Sequence, residues 1–244
     1  MWPTIIEVIN ITKSLGGPEL DSFSDIIADE AIRKWKDYVS ESELSPERLN
    51  DAFFHYQNRL FDRDRKNRGP IDYTRDNVTW PGLQALPEYR RLRGYMEEFG
   101  LRYLRRLGYP SLKDLDLFSW GAVQSNGDFH GPHTHTGELV VGVYYARVTG
   151  NSGRLRLFDP CGQVPPFGKT YDFNCQSGQM IFFPSWLQHA ALATKGDEHR
   201  VIFAFNIGLG GIGELKSLEW HLDPVSGYQS SVREPILLDN LCTD

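Results

Sequence analysis

Long apolar runs are missing from this 244-residue chain. No stretch approaches the roughly 20 apolar residues that span a bilayer, so a membrane partner is not expected. The first ten residues have neither a basic n-region nor a long apolar h-region, so no secretory signal is expected there. Cysteine is scarce. Cys161, Cys175 and Cys242 are an odd number without metal-ligand spacing. They read as free thiols in a reducing, cytoplasmic compartment, where the sequons at Asn10 and Asn77 carry no meaning. A basic field is also lacking. The net charge is −6 with both signs interspersed, which argues against nucleic acid as a partner. No internal repeat or low-complexity tract is present. With 40% hydrophobic and 13% aromatic residues, the chain can bury a real core as one integrated domain with a helical extension.

The first 110 residues read as helical. Phe23, Ile26, Ile27, Trp35 and Tyr38 recur at helical spacing, with Asp21 and Ser22 available as caps. Ser45-Pro46-Glu47 opens a second helix, carried on by Phe53, Tyr56, Gln57 and Leu60. The charged run at residues 62–70 breaks it and reads as a solvated loop rather than a partner site. A third helix starts near Pro87. Tyr89, Leu92, Met96, Phe99, Tyr103 and Leu107 form its apolar stripe. Its arginines, Arg90, Arg91, Arg93, Arg102, Arg105 and Arg106, read as a charged outer face rather than an anion site.

From residue 111 to 244 the texture is β. Strands are expected at 115–124, 139–146, 154–158, 169–173, 179–183, 189–193 and 200–207, separated by Gly, Pro, Asn and Asp. Many short strands with regular turn signals indicate a sandwich or jelly roll. Gly208-Leu209-Gly210-Gly211 reads as a mobile exit from the last strand.

Three of the seven histidines fall in His130-Gly131-Pro132-His133-Thr134-His135. A lone histidine is usually a surface or core residue. Two histidines one residue apart on an extended segment project to the same face and can grip one metal ion. His189, at the start of a later strand, offers a third point. Such facial sites with open positions suit non-haem Fe(II). Arg200 follows eleven residues after His189, inside an apolar strand-like run where a cation would suit a dicarboxylate. Tyr144 and Tyr145 point to opposite faces, so at most one reaches the pocket. Tyr145 shares parity with His133 and His135, but either tyrosine could be core. Trp120, Asn126 and Arg156 are candidates for the substrate side, each also explicable as structural. Asn206 could bond a cosubstrate or simply cap its strand.

Four segments occur in order: Pro132-His133-Thr134-His135; Gly142-Val143-Tyr144-Tyr145; Gly178 through Phe183-Pro184-Ser185-Trp186 to His189; and Arg200 through Asn206. Together they resemble the 2-oxoglutarate/Fe(II)-dependent dioxygenases, most closely a subgroup of oxygenases with a Pro-His-x-His, Phe-Pro-Ser-Trp-x-x-His and Arg pattern. The resemblance covers roughly residues 120–206 and says nothing of residues 1–110. It implies a double-stranded β-helix, a cupin-like jelly roll, on an N-terminal helical support. It also implies Fe(II), 2-oxoglutarate and O2 as cofactors, and a hydroxylation of a small molecule or peptide.

By position, His133 and His189 resemble two metal ligands, and Arg200 resembles the clamp for the distal carboxylate of 2-oxoglutarate. The superfamily places Asp or Glu where this chain has His135. Either three histidines bind the metal, or a carboxylate such as Asp128 or Glu138 comes from elsewhere, or His135 only supports the site. The first is preferred. Three other readings stay open. They are a three-histidine iron dioxygenase acting without 2-oxoglutarate, a non-catalytic jelly-roll binding module, and a zinc hydrolase, which lacks a histidine-glutamate helix motif here. The helical half is also a candidate homodimer face.

Overall fold

Alternation of apolar residues along the β segments decides the architecture. In β10 (Arg200–Leu209), Val201, Phe203, Phe205 and Ile207 join one buried cluster, whereas Ala204 joins another, with Ile202 packed against it. β5 (Val140–Arg147) splits the same way. Tyr144 and Ala146 face one core, and Val141, Val143 and Tyr145 face the other. A strand with apolar residues on both faces must be covered on both sides.

The structure is a computed structural model, and it describes residues 4–11, 19–41, 59–61, 87–109, 115–135, 137–150, 153–162 and 168–209. The remaining strands are β1 (Glu7–Asn10), β2 (Arg59–Phe61), β3 (Leu115–Gln124), β4 (His130–His133), β6 (Leu155–Phe158), β7 (Thr170–Phe173), β8 (Gln179–Pro184) and β9 (His189–Ala191). They form two antiparallel sheets. The major sheet has the order β1-β8-β5-β10-β3-β2, and the minor sheet β4-β9-β6-β7. The fold is the mainly β jelly roll that the sequence pattern implied. Its first 110 residues are not only helical: β1 pairs with β8, and β2 pairs with β3.

Two helices cover the outer face of the major sheet, α1 (Glu19–Glu41) and α2 (Pro87–Arg106). α1 begins before Asp21 and Ser22, so these residues lie within its first turn. α1 contributes Phe23, Ile27, Ala28 and Ala31, and α2 contributes Tyr89, Leu92, Met96, Phe99, Tyr103 and Leu104. Each large side chain fully buried this way stabilises by about 1.5–3 kcal/mol. Buried hydroxyls fix the docking. Tyr144 on β5 meets Ser24 on α1 at 2.5 Å, and Tyr89 on α2 meets Ser119 on β3. The arginines of α2 line its outer side. Arg102 and Arg106 pair with the buried Glu7, Arg93 pairs with Glu97, and Arg91 lies over Phe23. Neither helix is long and apolar enough to cross a membrane. The expected Ser45 helix, the 62–70 run and the tail from residue 210 lie outside the described residues. Gly208 is still within β10 and is not the exit from it.

Gly142 is a tight point of the major sheet. A Cβ there would sit 2.0 Å from Cζ of the buried Phe205. Gly142→Ala is therefore expected to cost about 1–3 kcal/mol. A urea titration should show a lower midpoint at unchanged m-value. An unshifted midpoint would contradict the packing described.

Candidate metal centre

The second buried cluster lies between the sheets. It contains Trp120, Val141, Val143, Tyr145, Leu155, Leu157, Ile181, Phe183, Leu187 and Ala204. The histidines stand at its side. In the minor sheet His133 on β4 is the cross-strand partner of His189 on β9, and Leu157 is the next partner along the row. Directly opposed residues share a face, so both imidazoles project alongside Leu157, a member of the inter-sheet cluster.

His135 arrives differently. It lies past the end of β4, and its backbone N–H donates to Ser185 O at 3.0 Å. Ser185 follows β8, so the turn after the major-sheet strand holds the third histidine. Its ring stacks on Trp120 at 6.1 Å. The ring centroids are 4.2 Å apart for His133 and His189, and 5.1 Å from each to His135. One ligand atom from each of the three lies within 4.8 Å of the others.

The hydrogen bonds set the tautomers of two rings. His133 Nδ1 is 2.8 Å from Gly131 O, and His189 Nδ1 is 2.9 Å from Leu187 O. A carbonyl only accepts, so both Nδ1 atoms carry the proton and both Nε2 atoms keep a lone pair. Burial, reinforced by neighbouring His133, pulls the His189 pKa down to about 4. It is neutral at physiological pH, which is the metal-binding form. Phe183 packs edge-on against His189 at 4.7 Å. His130 stacks on His133 at 3.8 Å, a neighbour that the sequence pattern did not single out. Three convergent imidazoles, one buried and two half-buried, fit a divalent transition metal. Neither Asp128 nor Glu138 belongs to the group.

Arg200 faces the same interior, because Val201 and Phe203 face the helices. It is 1% exposed. Its Nε donates to Gln124 Oε1 at 2.7 Å, one terminal nitrogen donates to Gly153 O, and the other donates to Leu192 O at 3.2 Å. Gly153 is required there, since a Cβ would fall 1.6 Å from Leu192 O.

Residues 118–206 match the profile of a family described as "Putative 2OG-Fe(II) oxygenase". That segment is similar to the 2OG-Fe(II) oxygenases. Fe(II) and 2-oxoglutarate are the metal and cosubstrate that the description of that family names, and the three histidines could hold such a metal. Among solved structures, a Pseudomonas putida prolyl-4-hydroxylase superposes with a TM-score of 0.56 at 15% identity, over 85% of this chain and 94% of that one. This likeness shows the shared jelly-roll fold. A viral collagen prolyl hydroxylase from Paramecium Bursaria Chlorella virus-1 gives 0.49 at 13% identity, over 86% and 94%. HygX from Streptomyces hygroscopicus with nickel and 2-oxoglutarate bound gives 0.47 at 14% identity, over 84% and 82%. No curated protein matches the sequence.

The other candidate residues fall into two groups. Tyr145 and Asn206 share the interior face of the major sheet with Trp120 and Arg200. Tyr145 is buried beside Cys175, and burial first, then Cys175, raises its phenol well above the usual value, while Arg200 opposes the rise. Tyr144 faces α1 instead. Asn206 is 7% exposed, and its buried Oδ1 has no hydrogen bond among the described residues. Asn126 and Arg156 are placed elsewhere. Asn126 is exposed and accepts Gly196 N–H at 3.2 Å. Arg156 lies on the opposite face of β6 from Leu155 and Leu157 and pairs with Asp172 at 2.7 Å. Alternation along β6 therefore turns it away from the inter-sheet space.

Asp128 is half-buried, and its carboxylate accepts Ser125 N–H at 2.5 Å. Burial raises its pKa to about 6, against the lowering effects of that bond and of Arg200. A raised folded-state pKa means that its stabilising contribution is complete below pH 3.8 and is lost as pH rises through about 6. Asp128→Asn is expected to flatten the fall in Tm between pH 4 and 6. An unchanged slope would contradict the assignment.

Proposed function

We propose that this oxygenase couples oxidative decarboxylation of 2-oxoglutarate to hydroxylation of a small-molecule or peptide substrate. Arg200 is the observation that carries the reading. A guanidinium 1% exposed, held by three neutral carbonyl oxygens, is a buried cation that favours an incoming anion. Among the described residues, the three bonds leave one N–H on each terminal nitrogen for an incoming carboxylate. 2-oxoglutarate has such a carboxylate at the end remote from its keto acid.

His133, His135 and His189 would hold Fe(II) through their imidazoles. Bound iron with 2-oxoglutarate supplies the oxidising chemistry: O2 is consumed, succinate and CO2 leave, and one oxygen atom goes to substrate. The side chains here bind, orient and exclude water. Trp120 and Phe183 fix the imidazole planes of His135 and His189. The carbonyls of Gly131 and Leu187 hold the tautomers of His133 and His189. Arg200 fixes the cosubstrate, with the Tyr145 hydroxyl and the Asn206 amide as further polar groups on that wall. Trp120 borders the substrate side. A metal with three neutral ligands is more positive by one charge than one with a carboxylate ligand, which strengthens binding of an anionic chelator.

Anaerobic protein with Fe(II) and 2-oxoglutarate is expected to develop the weak visible band of a chelated keto acid. His135→Ala should lower iron affinity by about tenfold or more. Arg200→Ala should keep iron and demand far more 2-oxoglutarate. Iron bound without a band in the wild type would overturn the reading in favour of a dioxygenase that works without 2-oxoglutarate. Unchanged iron affinity in His135→Ala would remove it as a ligand.

A further inference from the structure

The side chain behind Arg200 has a role of its own. Gln124 ends β3 and is the cross-strand partner of Arg200 at the start of β10. Both are buried, at 3% and 1% exposure. Gln124 Oε1 accepts the Nε–H at 2.7 Å. Nε is the guanidinium atom nearest the stem, so this bond sets the rotation of the whole plane. Gly153 O and Leu192 O then take one N–H from each terminal nitrogen. All three acceptors are neutral. The nearby carboxyl, Asp128, turns to the Ser125 N–H.

The choice of an amide matters. A carboxylate at position 124 would make a stronger bond to Arg200. It would also cancel the charge locally and repel an incoming carboxylate. An amide gives the same geometry and leaves the positive charge unspent. We propose that Gln124 is a positioning residue for the cosubstrate, fixing the guanidinium while preserving its charge for the distal carboxylate of 2-oxoglutarate.

This rests on Arg200 being the carboxylate site, and two keto acids separate the claims. One is 2-oxoglutarate. The other is 2-oxopentanoate, which has the same length and keto acid end but no distal carboxylate. Binding is read anaerobically on the Fe(II) protein by calorimetry, with iron affinity and Tm measured alongside. Gln124→Glu keeps the hydrogen bond to Arg200, so Tm and iron affinity should hold. Its 2-oxoglutarate Kd should rise at least about tenfold, because like charges then share the pocket. Its 2-oxopentanoate Kd should not change. Gln124→Met, which removes the acceptor at similar volume, should also weaken 2-oxoglutarate selectively.

A purely structural Gln124 predicts something else. Gln124→Glu would then bind 2-oxoglutarate as the wild type does, which would overturn the proposal and leave the Arg200 reading standing. Equal weakening of both keto acids would overturn it as well. If wild type fails to prefer 2-oxoglutarate over 2-oxopentanoate, Arg200 is not the carboxylate site, and the proposal falls with that reading.

Discussion

One cross-strand pair, His133 opposite His189, locates the proposed metal centre of this molecule. The pair exists because β4 and β9 are adjacent antiparallel strands of the minor sheet. Its orientation follows from Leu157, the next residue in the row, which belongs to the core between the sheets. A register slip of one residue on either strand would turn a ligand out to solvent. The packing of the inter-sheet core therefore defends the metal centre. Phe183 presses on His189 from the major sheet, and Trp120 stacks on His135. The third histidine links the layers directly, because its backbone is tied to Ser185 at the end of β8. Both sheets contribute to one site, so losing their alignment would take the ligand geometry with it.

The same design appears at Arg200. Three elements supply its acceptors: β3 through Gln124, the segment before β6 through Gly153, and the segment after β9 through Leu192. A buried guanidinium is costly without partners. Neutral partners take three of its five N–H groups, and among the described residues no carboxylate hydrogen-bonds it. That arrangement suits a dicarboxylate. The histidines and the arginine thus divide the labour. On the proposed reading the imidazoles accept a cation and the guanidinium attracts an anion.

Much of this was legible in the sequence, for specific reasons. β5, β8 and β10 stand out because both faces are buried, so nearly every position is apolar or aromatic. The Pro-His-x-His and distal His segments stand out because metal ligands need particular residue types at particular spacing. β1 and β2 were not legible. They are edge strands of four and three residues, too short for a period-two pattern to register. His135 was expected to share a strand with His133, but it lies past the end of β4, where a backbone bond to a distant turn and the Trp120 ring hold it. Gln124 and Gly153 had no sequence signal, because their importance comes from pairing with Arg200 across β3 and the minor-sheet loops. Arg156 was read without the face of β6 being known, and its neighbours Leu155 and Leu157 settle that face.

The central claim is that three neutral histidines bind the iron. Diffraction data from crystals grown anaerobically with Fe(II), collected on either side of the iron absorption edge, test it most directly. The account predicts an edge-dependent anomalous peak bonded to His133, His135 and His189, with no protein carboxylate among the ligands. A peak that Asp128 or Glu138 ligates in place of His135, or no iron at the histidine cluster, would contradict it.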